Sequence, residues 1–437
     1  MQHLPFSELA DLNPPVDTSS LDPETPVTFL GMADVSEDGD ILQRQRRQYR
    51  EVKYGYTAFQ EDDVLVAKIT PCLENGKGCH ATDLKNGVGF GSTEFHVLRA
   101  KSGVSPRYLY YWTQFADFRH AAEAAMIGSA GQQRVQPYLY DEFELPAFDL
   151  DEQRRIARVL DAVDDAIRRT DRVVGKLDRV RQGLLHDLLT RGLTPDGRLR
   201  DPDGPPNQFR DSPLGRIPDS YELVPLGDLI VDGPRNGLYK PKSEYQEDGT
   251  RIVRIDSFYG GVIRSQDSLK RVRLTDQDLR RYRLSEGDIL LNRVNSIGYL
   301  GKSAYVPKLH EPTVFESNMM RFRVDESSSL PKYVGMQLGS ALVQRQIRRR
   351  AKHAVAQASV NQDDVRSLLF PLPSQDEQQR VLQRYESHEQ RENAESRRTQ
   401  KLQNLKHGLM RDLLTGDVRI TDDVERRVAD ATGQHVS

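Results

Sequence analysis

The chain has 437 residues, 29% of them charged and 37% hydrophobic, with a net charge of -3 at neutral pH. That is room for two or three soluble domains, and no apolar run approaches the roughly 18 residues that a membrane span needs. The small net charge does not advertise nucleic-acid binding, and it conceals an asymmetry: residues 1–150 carry 13 Lys/Arg against 22 Asp/Glu, while residues 221–375 carry 24 against 18.

The opening MQHLPFSELADL has no signal-peptide layout, so a cytoplasmic location is expected. Over residues 1–145, short β-type runs at 64–67 and 95–98 and a helical stretch from Pro106 to about Met126 predict a mixed α/β unit. A long helix is expected over 146–192. Leu145-Pro146 and Asp151 supply its start signal. Its apolar positions Ile156, Leu160, Val163, Ile167, Val174, Leu177, Leu184 and Leu188 form a heptad seam that only Thr170 and Arg181 interrupt. At about 1.5 Å per residue such a helix is a rod of roughly 60 Å, longer than a globular core, and so a spacer or a docking rail. Pro, Gly and Asp over 193–220 predict a linker. A second mixed α/β unit follows over 221–370, with strand candidates at 252–255, 289–291 and 320–323 and a helix from Pro331 to about Ala351. The second long helix, over 371–416, keeps an apolar seam at both ends (Val381, Tyr385, Leu402, Leu409, Leu413), but its middle reads His388, Glu392, Glu395. Residues 417–437 are expected to fray.

The two halves repeat at a displacement of 225 residues. Asp151-Glu152-Gln153 returns as Asp376-Glu377-Gln378, and Asp187-Leu188-Leu189-Thr190 returns as Asp412-Leu413-Leu414-Thr415. From Asp151 to Thr190 there are 13 identities in 40 positions. Upstream the matches thin to framework residues such as Gly76 with Gly301 and Pro106 with Pro331. One framework with different displayed side chains suggests two related but unequal binding tasks.

Several catalytic patterns fail on spacing. Asn13-Pro14-Pro15-Val16 resembles an adenine methyltransferase loop but lacks the aromatic that stacks on a flipped base and starts too early for a methyl-donor fold before it. Gly298-Tyr299-Leu300-Gly301-Lys302-Ser303 has two residues between its glycines where a phosphate loop has four. Cys72, Cys79 and His80 lack the further ligands of a zinc site and read as free thiols and a lone histidine. Asp40, Glu51 and Lys53 follow the residue order of a metal-dependent nuclease at loose spacing. The chain reads as non-catalytic.

Basic clusters interleaved with aromatics and amides remain, the chemistry that holds phosphates and reads base edges. In the first half they are Arg44, Arg46, Arg47, Tyr49, Arg50 and Lys53 with Tyr54 and Tyr56, then Gln132, Gln133 and Arg134 in a Gly-rich loop. In the second they are Arg235, Asn236, Tyr239, Lys240 and Lys242, then Arg280, Arg281 and Arg283, then Asn292, Arg293, Asn295 and Lys302, and Arg345 to Lys352 leading to Gln357, Ser359 and Asn361.

This plan, with Gly128-Ser129-Ala130-Gly131-Gln132-Gln133-Arg134, Pro146, Asp151-Glu152-Gln153 and Asp187-Leu188-Leu189-Thr190, resembles the specificity subunit of type I restriction-modification enzymes over nearly the whole chain. The second copy departs from the Gly-rich loop, reading Ala354-Val355-Ala356-Gln357-Ala358-Ser359-Val360-Asn361. The resemblance implies an α+β fold with two mixed α/β target recognition domains in tandem, each followed by a long helix, the helices forming an antiparallel coiled coil with pseudo-two-fold symmetry. It implies a non-catalytic subunit that reads a bipartite, asymmetric double-stranded DNA target. It also implies docking of two methyltransferase subunits and restriction/translocase subunits through the helices, around Asp151, Glu152, Gln153, Leu184, Leu188, Asp376, Glu377, Gln378, Leu409 and Leu413. S-adenosylmethionine, ATP and Mg would sit on those partners and no cofactor on this chain. The rival readings are a metal-dependent DNA nuclease using Asp40, Glu51 and Lys53, and a protein-interaction scaffold without a DNA role.

Overall fold

The computed structural model describes residues 2–433 apart from 130, 206–207, 260, 264–265 and 354–356. It divides into two compact units, residues 1–173 with 395–437 and residues 174–394. The boundaries fall inside the two long helices, so each unit contains half of each.

In the first unit, Ala10–Leu12, Phe95–Ala100, Val64–Ala67 and Gly78–His80 form an antiparallel sheet in that order. A second sheet runs Gln45–Gln48, Pro26–Leu30, Val88–Gly91, Thr57–Gln60, with Pro26–Leu30 parallel to Val88–Gly91. The strand runs expected at 64–67 and 95–98 are both present. The single helix expected from Pro106 is two, α1 (Pro106–Gln114) and α2 (Ala116–Ala124). Phe115 between them is extended, with φ -72° and ψ 139°. Its buried ring stands edge-on to Trp112 at 5.4 Å, and this burial overrides helical continuity. The core is aromatic: Phe6, Tyr108, Tyr111, Trp112 and Phe118 pack with Ile156, Leu160 and Val163 of α3 (Leu150–Thr190). Met410, Leu413 and Leu414 complete it.

In the second unit, Ile230–Asn236, Met319–Val324, Ile289–Asn292 and Ser303–Tyr305 pair in the order of their counterparts 225 residues earlier, and Val262–Ile263 and Phe258–Tyr259 extend that sheet. Here too the expected helix is split, into α4 (Pro331–Leu338) and α5 (Ala341–Arg350). Ser340 between them is extended, and its hydroxyl accepts from Val343 N, a capping bond that starts a new helix. Helix α6 (Gln375–Leu414) follows. Residues 193–220 are not a bare linker. Leu193 and Ile217 are buried, and Phe209–Ser212 forms a hairpin with Gly215–Pro218. Nor does the C-terminal segment simply fray. Asp422–Thr432 is helix α7, capped by Thr421, with Arg155 paired to Glu425 at 2.9 Å and Val428 in the first core.

The long helices pack on one another. In the first unit Lys406 meets Asp164 at 2.6 Å and Thr399 meets Asp171 at 3.0 Å, an antiparallel progression. In the second unit the polar middle of α6 answers the interruption in the seam of α3: Arg181 lies 3.0 Å from Glu392, and His388 Nε2 donates to Leu177 O at 2.9 Å.

Each helix is fastened at its start by the Asp-Glu-Gln motif. Gln153 accepts from Ser105 N at 2.8 Å and donates to Phe148 O; Gln378 accepts from Leu330 N at 2.8 Å and donates to Pro373 O. Glu377, 4% exposed, accepts from Leu193 N, Tyr221 OH and both terminal nitrogens of Arg200, the last at 2.6 and 2.8 Å. Gly192 has φ +64°, and a Cβ there would lie 2.2 Å from the Tyr221 hydroxyl, so the close approach requires glycine. Removing one partner of such a buried pair leaves the other charge uncompensated. Glu377→Ala is therefore expected to cost the second unit about 3 to 5 kcal/mol in urea unfolding, against less than about 0.5 kcal/mol for the exposed Glu247→Ala.

Candidate nucleic-acid interface

In the first unit the basic arm follows the edge strand Gln45–Gln48. Most of its cations are committed to protein partners. Arg44 donates to Thr82 O at 3.1 Å, Arg47 lies 3.6 Å over the Phe29 ring and bonds Gln45, and Arg50 pairs with Glu24. Tyr49 shares a hydrogen bond with Thr18 at 3.0 Å, and the Lys53 ammonium sits 4.9 Å from the Tyr54 ring centroid. Arg46 is exposed with no polar partner among the described residues, and Tyr54 is 79% exposed. Exposed Leu42 and Tyr56 flank them; Leu42 escaped sequence reasoning because one apolar residue in a charged run carries no pattern.

The Gly-rich loop closes a two-stranded ribbon, Met126–Ile127 with Arg134–Val135. Gln132 is exposed and Gln133 half-buried, and neither side chain has a partner among the described residues. Arg134 is held bidentately by Glu94, at 2.9 and 2.8 Å. That hydrogen bonding, foremost, lowers the Glu94 carboxyl below its usual range. Val135 N donates to Lys68 O at 2.8 Å; at the same displacement in the second unit, Val360 N donates to Arg293 O at 3.0 Å. Ala130 of the first loop and Ala354–Ala356 of the second lie outside the described residues.

In the second unit Arg235 is paired with Asp232 at 2.6 Å and Lys240 with Asp278 at 3.0 Å, which sets the exposed Asn236 and 78% exposed Tyr239 beside the helix that carries Arg280 and Arg281. Arg283 is exposed. A three-stranded ribbon, Val294–Asn295, Ala358–Ser359 and Lys352–His353, brings Asn295, Ser359 and their neighbours Arg293 and Gln357 together. Arg293 donates to Ser317 O at 3.4 Å, and Asn295 accepts from Ser296 N. Asn292 is fully buried with neither amide atom partnered among the described residues, Lys302 sits 5.0 Å from the Phe258 ring centroid, and Asn361 caps the helix Gln362–Arg366. Exposed Arg348 and Arg349 on α5 have no polar partner among the described residues. Lys68 was missed by sequence reasoning, although its displacement by 225 from Arg293 points to it.

Of the expected docking residues, Gln153, Leu188, Glu377, Gln378 and Leu413 are buried inside the units. Leu184 and Leu409 pack against the cores, and Glu152 pairs with Arg419. Asp151 and Asp376 are exposed, each in the first turn of its helix. The rival metal set is dispersed: Asp40 pairs with Arg168 at 3.2 Å and Glu51 caps its own helix.

The family profile described as the type I restriction modification DNA specificity domain matches residues 218–404. The type I restriction enzyme EcoAI specificity subunit of Escherichia coli is 27% identical over 451 residues, 86% of this chain and 75% of the relative. The EcoEI specificity subunit of the same species is 24% identical, over 84% of this chain and 74% of the relative. The chain is thus similar to type I restriction-modification specificity subunits over most of its length. The MjaVIII specificity subunit of Methanocaldococcus jannaschii is a more distant relative, 23% identical over 77% of this chain and 75% of its own. Two solved structures share the fold of this chain. One comes from work on complex assembly and conformational transition of the type I R-M system, with TM-score 0.58 at 16% identity over 95% of this chain and 98% of the other. The second is the type I restriction-modification S subunit from M. genitalium, with TM-score 0.53 at 14% identity over 96% of each. No helix among the described residues is long and apolar enough to cross a membrane.

His96 lies on the strand beside the Gly-rich loop, 3% exposed, with Nδ1 unpartnered among the described residues. Burial foremost, then the charge of Lys68, pushes its pKa down to about 4. The folded state thus holds it neutral, while the unfolded chain takes up a proton near pH 6.5. Stability is lost as pH falls from there toward the folded value, by about 2 kcal/mol between pH 7 and pH 5. His96→Asn is expected to shrink the difference between urea unfolding at those two pH values by that amount.

Proposed function

We propose that the chain is the DNA sequence-recognition subunit of a type I restriction-modification complex. In this reading the globular parts, residues 1–145 and 221–370, are two target recognition domains in tandem. Each reads one part of a bipartite, asymmetric target, and α3 and α6 form the pseudo-two-fold spacer between them. Residues 146–192 and 371–416 would be the spacer helices, with 193–220 and 417–437 joining and closing them. The exposed helix faces would dock two methyltransferase subunits and restriction/translocase subunits, which would hold S-adenosylmethionine, ATP and Mg.

The observation that carries this reading is the pair of loops hung from one backbone bond, Val135 N to Lys68 O and Val360 N to Arg293 O, yet displaying different side chains. A shared anchor with different displays is the arrangement for reading two different short sequences. Uncommitted groups supply the contacts: Arg46, Tyr54, Gln132 and Gln133 from the first unit, and Tyr239, Arg280, Arg283, Arg348, Arg349 and Gln357 from the second. Arg and amide side chains recognise guanine and adenine edges, and the remaining cations hold phosphates.

The test is a methylome of cells that express the chain with the methyltransferase subunits of its system. Arg46→Ala is expected to alter recognition only in one part of the target. If Arg46 reads a base, one position relaxes at a cost of about 1 to 3 kcal/mol; if it holds a phosphate, all sequences weaken alike. A methylome unchanged by deletion of the chain would overturn the reading in favour of a scaffold. Separately, affinity of the complex for its target is expected to fall steeply with added salt, because bound cations release counterions from DNA; a flat salt series in a binding assay would contradict that.

A further inference from the structure

We infer that Arg134 is not a base-reading residue but one half of a clamp, with Glu94 as the other half, that positions Gln132 and Gln133 to do the reading. The inference deepens the proposed DNA recognition and rests on it. Both guanidinium edges of Arg134 are occupied. Nε and one terminal nitrogen bond the two Glu94 oxygens at 2.9 and 2.8 Å, and the other terminal nitrogen turns back to Gln132 O at 3.3 Å. A fork-to-fork pair fixes the plane of both groups, and with the bond to Gln132 O it takes three of the five guanidinium N–H groups, including the whole edge that faces Glu94.

The clamp sits at the root of the loop. Glu94 is fastened by its own backbone, with Lys68 N donating to Glu94 O at 2.9 Å and Glu94 N donating to Ser92 Oγ at 3.2 Å. Thr70 N donates to Gln133 O at 3.0 Å, and Gln136 Nε2 donates to Arg134 O at 3.0 Å. Distal to these ties, Gln132 N bonds Ser129 O in a turn, and the two glutamine side chains carry no internal partner among the described residues. A glutamine amide offers the donor and acceptor that adenine displays in the major groove.

The second unit lacks the clamp. At a displacement of 225 residues Glu94 and Arg134 become Met319 and Ser359, so the ion pair is lost. The loop strand there keeps the same two β neighbours, Ala358–Ser359 lying between Val294–Asn295 and Lys352–His353, as Arg134 bridges Ile69 and pairs with Ile127 in the first unit. Both loops share the ribbon, and only the first adds an ion pair to it.

The experiment measures binding of the full complex, this chain with its methyltransferase subunits, to DNA carrying the target found in its methylome and to scrambled DNA. Glu94→Gln, close in shape and safe for folding, and Arg134→Ala are each expected to lose about tenfold in target affinity, without changing which bases are preferred. The exchange Glu94→Arg with Arg134→Glu is expected to restore most of that loss, which a base-reading Arg134 would not allow. Gln132→Ala or Gln133→Ala is expected to relax base preference in one part of the target. A harmless Glu94→Gln beside an Arg134→Ala that relaxes a single base position would overturn the clamp and make Arg134 the reader. An exchange as damaged as the single variants would overturn it too. A wild-type complex that binds target and scrambled DNA equally would overturn the DNA-reading function itself, whatever the variants do.

Discussion

Neither repeat can bury its own apolar stripe, and the architecture follows from that constraint. The seam of α3 is longer than the globular part before it can cover, and the Leu-Leu pair at the end of each helix finds its core elsewhere in the sequence. Leu188 and Leu189 are buried with Val381, Tyr385 and Phe370 in the second unit. Leu413 and Leu414 are buried with Ile156, Leu160 and Tyr108 in the first. Each compact unit is therefore built from both sequence halves, and the boundaries fall within helices rather than between domains.

The framework was legible where a physical period or a repeat carried it. The heptad of α3, the strand runs at 64–67 and 289–291 and the Asp-Glu-Gln starts are all present, because alternation, seam and cap are local patterns. What the sequence could not display was tertiary competition with local propensity. Phe115 and Ser340 sit in helical stretches, yet a buried ring and a capping hydroxyl divide those helices. Residues 193–220 have the composition of a linker, but Arg200 within them neutralises Glu377, 177 residues away.

The candidate interface was less legible than the fold, for one reason. Sequence shows which residues are cationic but not which cations are already answered. Arg44, Arg47, Arg50, Arg134, Arg235 and Lys240 all find partners within their own unit, whereas Arg46 and Arg349 lie on the surface without one among the described residues. The Asp-Glu-Gln motif errs in the opposite direction. Its recurrence looks like a docking signature, yet Gln153 and Gln378 are internal ties between a helix start and the globular part beside it. A repeated motif can mark a repeated structural need as readily as a repeated partner.

The shared cores have a consequence for the order in which the chain matures. A ribosome releases the second unit's Leu188 and Leu189 well before Val381 and Tyr385, so that unit closes soon after its own helix emerges. The first unit is begun first and finished last. Its stripe at Ile156, Leu160 and Val163 must wait for Met410, Leu413 and Val428, more than 200 residues later in the chain. At about 5 to 20 residues per second that is an interval of roughly 10 to 50 seconds, during which a half-built aromatic core stands open to chaperones or to another nascent copy.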